Sequence, residues 1–222
     1  MTDWSTISSL ATGAGTLVLA VATFGSVRSA NRAARVGELA LQEQRLVTEE
    51  QRRPLVVQSR LDDSKQKIMF QDRHWVHASG SGAVAEHLDD NVYLAMSLRN
   101  VGAGIAVLQG WHARAGQPTA QDDHRPENQF RAQTRDIYLP PGDIGFWQGA
   151  LRNPADDVQA EIADAIAQDE PITIELLYTD QAGGQRTISR FILTAADGEH
   201  HAIRPWMTAV NRHWYLDHSG PR

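Results

Sequence analysis

Hydrophobic and polar positions divide the chain into three stretches with different periods. From Trp4 to Val27 no residue is charged. Within it Ile7, Leu10, Ala14, Leu17, Val21 and Phe24 recur at alternating steps of three and four, the period of a helix. The 21 residues from Ile7 to Val27, at about 1.5 Å each, reach roughly 31 Å, the thickness of a bilayer's hydrocarbon core. The pattern predicts a transmembrane helix over 4–27, with Trp4 at the membrane interface. Residues 28–53 are rich in helix formers and hold no proline until Pro54, which predicts a helical stalk. Its apolar stripe of Val36, Leu39, Ala40, Leu46 and Val47 is too short for a coiled coil.

After Pro54 the period falls to two. The segments LVVQSR, KIMF and NVYLAMSLR read as strands, and the last alternates Val92, Leu94, Met96 and Leu98 against Tyr93, Ala95, Ser97 and Arg99. IAVLQGWHAR, FRAQTRDIYL, IGFWQGAL, and the pair PITIELLYTD and QRTISRFILTA continue the series. Turns separate them: Asn100 to Gly104, with Gly102 and Gly104 free to take positive φ; Pro141-Gly142; and Gly183-Gly184. Two helices interrupt. Asn153 as N-cap and Pro154 at the first position predict one near 154–168. Trp206, Val210, His213 and Trp214 predict a one-sided C-terminal helix near 205–216. Residues 54–222 thus read as a mainly β domain, a β-sandwich with two added helices.

The stretches VYLAMSLRNVGAGIAVLQGW, YLPPGDIGFW and ITIELLYTDQAGGQ resemble the layout of bacterial Ig-like domains. Asn100, Gly102, Ala106, Pro141, Gly142, Asp143, Asp180 and Gly183 stand at the turn positions of that layout. The whole chain resembles uncharacterised single-pass bacterial membrane proteins built as span, helix and Ig-like β-sandwich. The resemblance implies a fold and carries no activity with it, because its motifs are turn chemistry.

Charge sharpens the placement. The net charge is −6, yet Arg28, Arg32 and Arg35 give three positive charges directly after the span. From Val36 onward 18 basic residues face 26 acidic ones. An acidic domain is repelled by phosphate backbones, so nucleic acid is not an expected partner. Positive charge after the span and none before it puts the N-terminus outside and the domain in the cytoplasm, at the inner membrane. There the arginines meet anionic membrane lipid. The N-terminus lacks the basic region of an export signal, and the span lacks the charged face of a surface helix. A buried core helix is the remaining alternative. Ser8, Thr12, Thr16 and Ala20 form a small-residue ladder along the span, which suits self-association into a homo-oligomer.

Catalytic and metal chemistry find little support. There is no cysteine, which excludes disulfides and thiolate sites. His74 and His77 would face opposite sides of a strand and could not share a metal. Asp122 to His124 reads as a solvated turn, Gly183-Gly184-Gln185 as turn residues, and Ser189 lies in no nucleophile elbow. No catalytic residue, metal or cofactor is assigned. The tryptophans carry more information, and Trp147 and Trp214 are the candidates for a partner-binding surface. The expected function is a membrane-anchored protein-interaction module, recruiting or sensing an unknown protein partner. The competing expectation is a small-ligand-binding or hydrolytic domain using the His-bearing loops, which requires His74, His112, Asp122 or His200 to converge in a cleft.

Overall fold

A computed structural model describes the backbone of residues 4–119, 121–196 and 205–217, and their side chains apart from 4–15, 18, 45, 46 and 49–51. Contacts divide the chain into residues 1–50 and 51–222. The first unit is helix α1 (Trp4–Gln51), 48 residues long, about 72 Å at the usual rise. Leu17, Val21 and Phe24 are each about two-thirds exposed, at 67%, 65% and 68%, and Arg28, Arg32 and Arg35 are exposed as well. Among the described residues no helix is long and apolar enough to cross a membrane. Trp4, Ile7 and Leu10, on which the expected span also rests, have side chains outside the described set.

The second unit is mainly β. Its strands are β1 (Val56–Gln58), β2 (Gln66–Met69), β3 (Trp75–Ala78), β4 (Gly82–Leu88), β5 (Asn91–Asn100) and β6 (Ala106–Ala115). They continue with β7 (Arg131–Leu139), β8 (Ile144–Leu151), β9 (Ile172–Thr179), β10 (Thr187–Ala195) and β11 (Trp206–Tyr215), with helix α2 (Asp157–Ala167) between β8 and β9. Nine strands form one curled antiparallel sheet. β8 pairs one edge of β5, and β4 and β1 share the other. The path then runs β4-β11-β10-β9-β6-β7. Only Ala83↔Trp206 and Gly82↔Met207 join β4 to β11, so the sheet turns its corner there. β2 and β3 form a separate hairpin.

The curl encloses one core. Leu94, Met96 and Leu98 of β5, Trp111 of β6, Trp147 of β8, Leu176 of β9 and Phe191 of β10 meet there, with Ile162 of α2. β5 is buried on both faces, because Tyr93 and Ala95 on its other side lie under Ile68, Phe70, Val76 and Ala78 of the hairpin. α2 starts three residues later than the sequence suggests. Asp156 caps it by accepting from Val158 N at 3.1 Å, while Asn153 caps the preceding turn through Ala155 N at 3.2 Å.

The C-terminal segment is a strand, not the helix expected near 205–216. β11 pairs with β10 along its length, and the register shifts at Arg190/Phe191, where Arg212 and Val210 face consecutive residues and Asn211 is extra. That bulge flips the alternation midway. Trp206, Thr208 and Val210 follow one phase, and His213 follows the other, beside Ser189. Two phases of period two, joined by one inserted residue, mimic the three-and-four spacing of a helix.

The Asn100–Gly104 turn has a different role from the one its glycines suggest. Neither Gly102 nor Gly104 takes positive φ among the described glycines, whereas Gly142 and Gly183 do, at 75° and 78°. A Cβ on Gly104 would lie 1.8 Å from Arg52 O, and one on Gly102 would lie 2.4 Å from Arg53 O. The turn is a socket for the chain at 52–55. Val101 N donates to Leu55 O at 2.8 Å and Ala103 N to Arg53 O at 3.2 Å.

Candidate interaction surface

The hairpin β2–β3 is shaped by simple alternation. Met69 pairs with Trp75, Ile68 with Val76, Lys67 with His77 and Gln66 with Ala78. Ile68, Val76 and Ala78 point onto the sheet, so Lys67, Met69, Trp75 and His77 share the outer face. Trp75 is 47% exposed and Met69 42%. Lys67 Nζ lies 4.4 Å from the centre of the Trp75 ring, a cation–π contact at the surface. A cleft of about 380 Å³ runs beside β3, lined by Trp75, His77, Glu86, Trp206 and Met207 among others.

Polar contacts at the hairpin's turn pin it to the sheet. Arg73 takes φ 68°, and His74 O accepts from Phe70 N at 2.9 Å. Asp72 accepts from Tyr93 Oη at 2.6 Å and from Arg152 Nη2 at 3.2 Å. Burial raises the Asp72 carboxyl, but the hydrogen bonds from Tyr93, His74 N and Arg152 outweigh it and hold it below its ordinary value. His74 Nε2 lies 2.8 Å from Glu86 Oε2, and its ring centre is 4.4 Å from that of Tyr93. These contacts fix the backbone that presents Trp75.

Trp147 does not form a partner surface. It is fully buried and packs edge-on against Trp111, with ring centres 5.3 Å apart. The exposed Pro140–Asp143 turn lies outside, but alternation along β8 sends Trp147 inward. Trp214 is half-buried, with the Arg190 guanidinium 4.6 Å from its ring centre and the His124 ring set edge-on to it at 5.5 Å. Trp75 is the tryptophan that faces solvent in the described domain. Its signal in the sequence is alternation in WVHA, where Val76 and Ala78 claim the inner face.

Among the described residues the candidate His and Asp side chains are not hydrogen-bonded to one another. His74 meets Glu86, and Asp122 accepts from Thr119 and Arg114. His112 sits alone among them, its imidazole held below the usual value by burial despite the neighbouring Glu175; His200 lies outside the described residues. Among the described residues no three His, Cys, Asp or Glu side chains are placed to hold a metal ion. Ser189 does contact a histidine, with Oγ 2.6 Å from His213 Nδ1. Ser189 is fully buried and also 2.9 Å from Tyr178 Oη, which accepts from Val56 N at 3.2 Å. The row ties β1, β9, β10 and β11 together, and burial pushes the Tyr178 hydroxyl up to about 12. A serine with no access to solvent serves as a structural link here.

Sequence reasoning missed Glu175 and Arg190. They form an ion pair on the outer side of β9 and β10, 2.6 Å apart and each 1% exposed. The available signal was one charge in each of two otherwise apolar strands, ITIELLYT and TISRFILTA, opposite each other once the hairpin register is drawn. No protein-family model matches the chain, and no curated protein is significantly similar to it.

Proposed function

We propose that the chain is a membrane-tethered protein-interaction module whose hairpin face recruits or senses a protein partner. The observation that carries this reading is the outer face of β2–β3. It sets an exposed Trp75 beside Met69 and Lys67 on a backbone pinned by Asp72 and His74. Aromatic and methionine side chains on rigid backbone are the groups that anchor protein interfaces.

The tether is the segment 4–27, followed by Arg28, Arg32 and Arg35 at anionic lipid, with the domain on the cytoplasmic side. Support comes from the uncharged sequence and from the first unit, whose described part is a single helix. Leu17, Val21 and Phe24 are exposed on that helix, and lipid or a second copy is the cover we assign to them. We read the curled sheet as an Ig-like sandwich. β4-β5-β8 on one side and β10-β9-β6-β7 on the other follow the Ig order, with β11 added after the last strand.

The test is a photo-reactive amino acid at position 75 of the full-length chain, irradiated in cells. We expect a discrete crosslinked adduct that a probe at exposed Tyr138 does not give. Equal labelling from both positions would refute the assignment. Extraction at alkaline pH tests the tether separately, where release into the soluble fraction would refute it.

A further inference from the structure

The pair Glu175–Arg190 is completed by main chain. Arg190 donates from Nε and Nη2 to Glu175 Oε1, at 2.8 and 2.6 Å. Two of its three remaining N–H donors reach backbone carbonyls, Nη1 to Asp122 O at 3.0 Å and Nη2 to Asp123 O at 2.5 Å. Glu175 Oε2 accepts from Arg125 N at 2.9 Å. All three groups belong to the segment 121–130 between β6 and β7, which lies as a strap over the pair. Buried charges are costly unless their hydrogen-bonding capacity is filled, so the pair needs these three contacts.

The strap brings little else. No residue from 121 to 130 is buried. Among the described residues its other side-chain ties to the domain are Asp122 to Arg114 at 3.3 Å, Asp122 to Thr119, and Glu127 to Arg186 at 2.8 Å, all at surface positions where such contacts contribute little. His124 rests on Trp214 at 5.5 Å and Phe130 on His112 at 6.2 Å. The strap is therefore held chiefly by two side chains that read its backbone and ignore its sequence.

We propose that Glu175 and Arg190 form a peptide-binding site that reads main chain, with the strap as its resident occupant. A segment of a partner protein that follows the same backbone course exchanges with it. That segment presents two successive carbonyls to Arg190, an N–H two residues further on to Glu175, and a ring against Trp214. The occupant is a peptide segment because the donors and acceptor already match main chain, the two carbonyls and one N–H that the strap supplies. The site is separate from the hairpin face, and a Trp75→Ala substitution leaves it unchanged.

The experiment compares the full-length chain with one in which residues 121–129 are replaced by a Gly-Ser linker of equal length. The probe is a labelled synthetic peptide of residues 121–130, followed by fluorescence anisotropy. The linker chain binds it saturably in the micromolar range, and the intact chain binds at least tenfold more weakly. N-methylation at Arg125 removes the N–H to Glu175 and weakens binding about tenfold or more, while N-methylation at Asn128 changes it less than twofold. A linker chain carrying Glu175→Met and Arg190→Met folds and does not bind. A linker chain that fails to fold overturns the proposal, because the strap is then part of the core structure. A folded linker chain that does not bind, or equal effects of the two N-methyl groups, overturns it as well.

Discussion

Asn100→Ala tests the socket that receives the chain at 52–55. Asn100 is fully buried, and its amide makes four contacts. Oδ1 accepts from Leu55 N at 3.1 Å and Gly102 N at 3.0 Å. Nδ2 donates to Gly104 O at 2.6 Å and Leu139 O at 2.8 Å. Removing the amide strands Leu139 O inside the protein, at about 1–3 kcal/mol. The other three groups are half-buried and recover part of their bonding from water, so each costs roughly 0.5–1 kcal/mol. The sum is about 2.5–6 kcal/mol, a large share of a total stability of about 5–15 kcal/mol. For a domain of this size the melting temperature falls by roughly 10 °C. Urea unfolding followed by tryptophan fluorescence measures it, with Val101→Ala at an exposed neighbour as control. Asn100→Asp retains the acceptor but turns a carboxylate toward two carbonyls, so it loses at least as much. A loss under about 1 kcal/mol for Asn100→Ala would show that the amide network does not hold the socket.

Three further outcomes follow from burial and charge. Glu175→Ala leaves Arg190 buried and unpaired, and calorimetry should show a loss of roughly 3–5 kcal/mol, with the double methionine variant losing less. Trp147→Ala should cost about 3–5 kcal/mol in denaturant unfolding, whereas Trp75→Ala should stay within about 1 kcal/mol, separating core from surface ring. Acid should destabilise the domain in two stages. The folded pKa of His112 is depressed by burial, so below about pH 6.5 the unfolded chain takes up the proton first and stability begins to fall. Asp63, held low by its hydrogen bond from Arg99, and Asp72 contribute stability above about pH 4 that is lost as pH drops through their folded values. Melting temperatures from pH 7 to 3 test this, and His112→Gln should flatten the first stage alone.

Pattern reading found the strands where one face is plainly apolar. β5 is legible from Val92, Leu94, Met96 and Leu98, and α2 from Val158, Ile162 and Ile166. It failed at β11, because a single bulged residue, Asn211, mixes two alternating phases into a helical spacing. It also misplaced Trp147, because closeness to an exposed turn says nothing about which side of the next strand a residue occupies. Glu175 and Arg190 look like surface charges in their strands, and the strap above them, with the Trp214 ring against Arg190, buries them.

By itself the sequence determined the uncharged N-terminal stretch with its three arginines, a long helix, and a change to β structure after Pro54. These depend on composition and local period, which need no partner in space. The tertiary structure decided the rest. It turned the glycines of the Asn100 turn into a socket, buried Trp147, left Trp75 outside, and laid a strap over an ion pair. Each of those depends on which distant segments come together. Strand pairing fixes that choice, and one residue's alternation carries no record of the strand that will lie across from it.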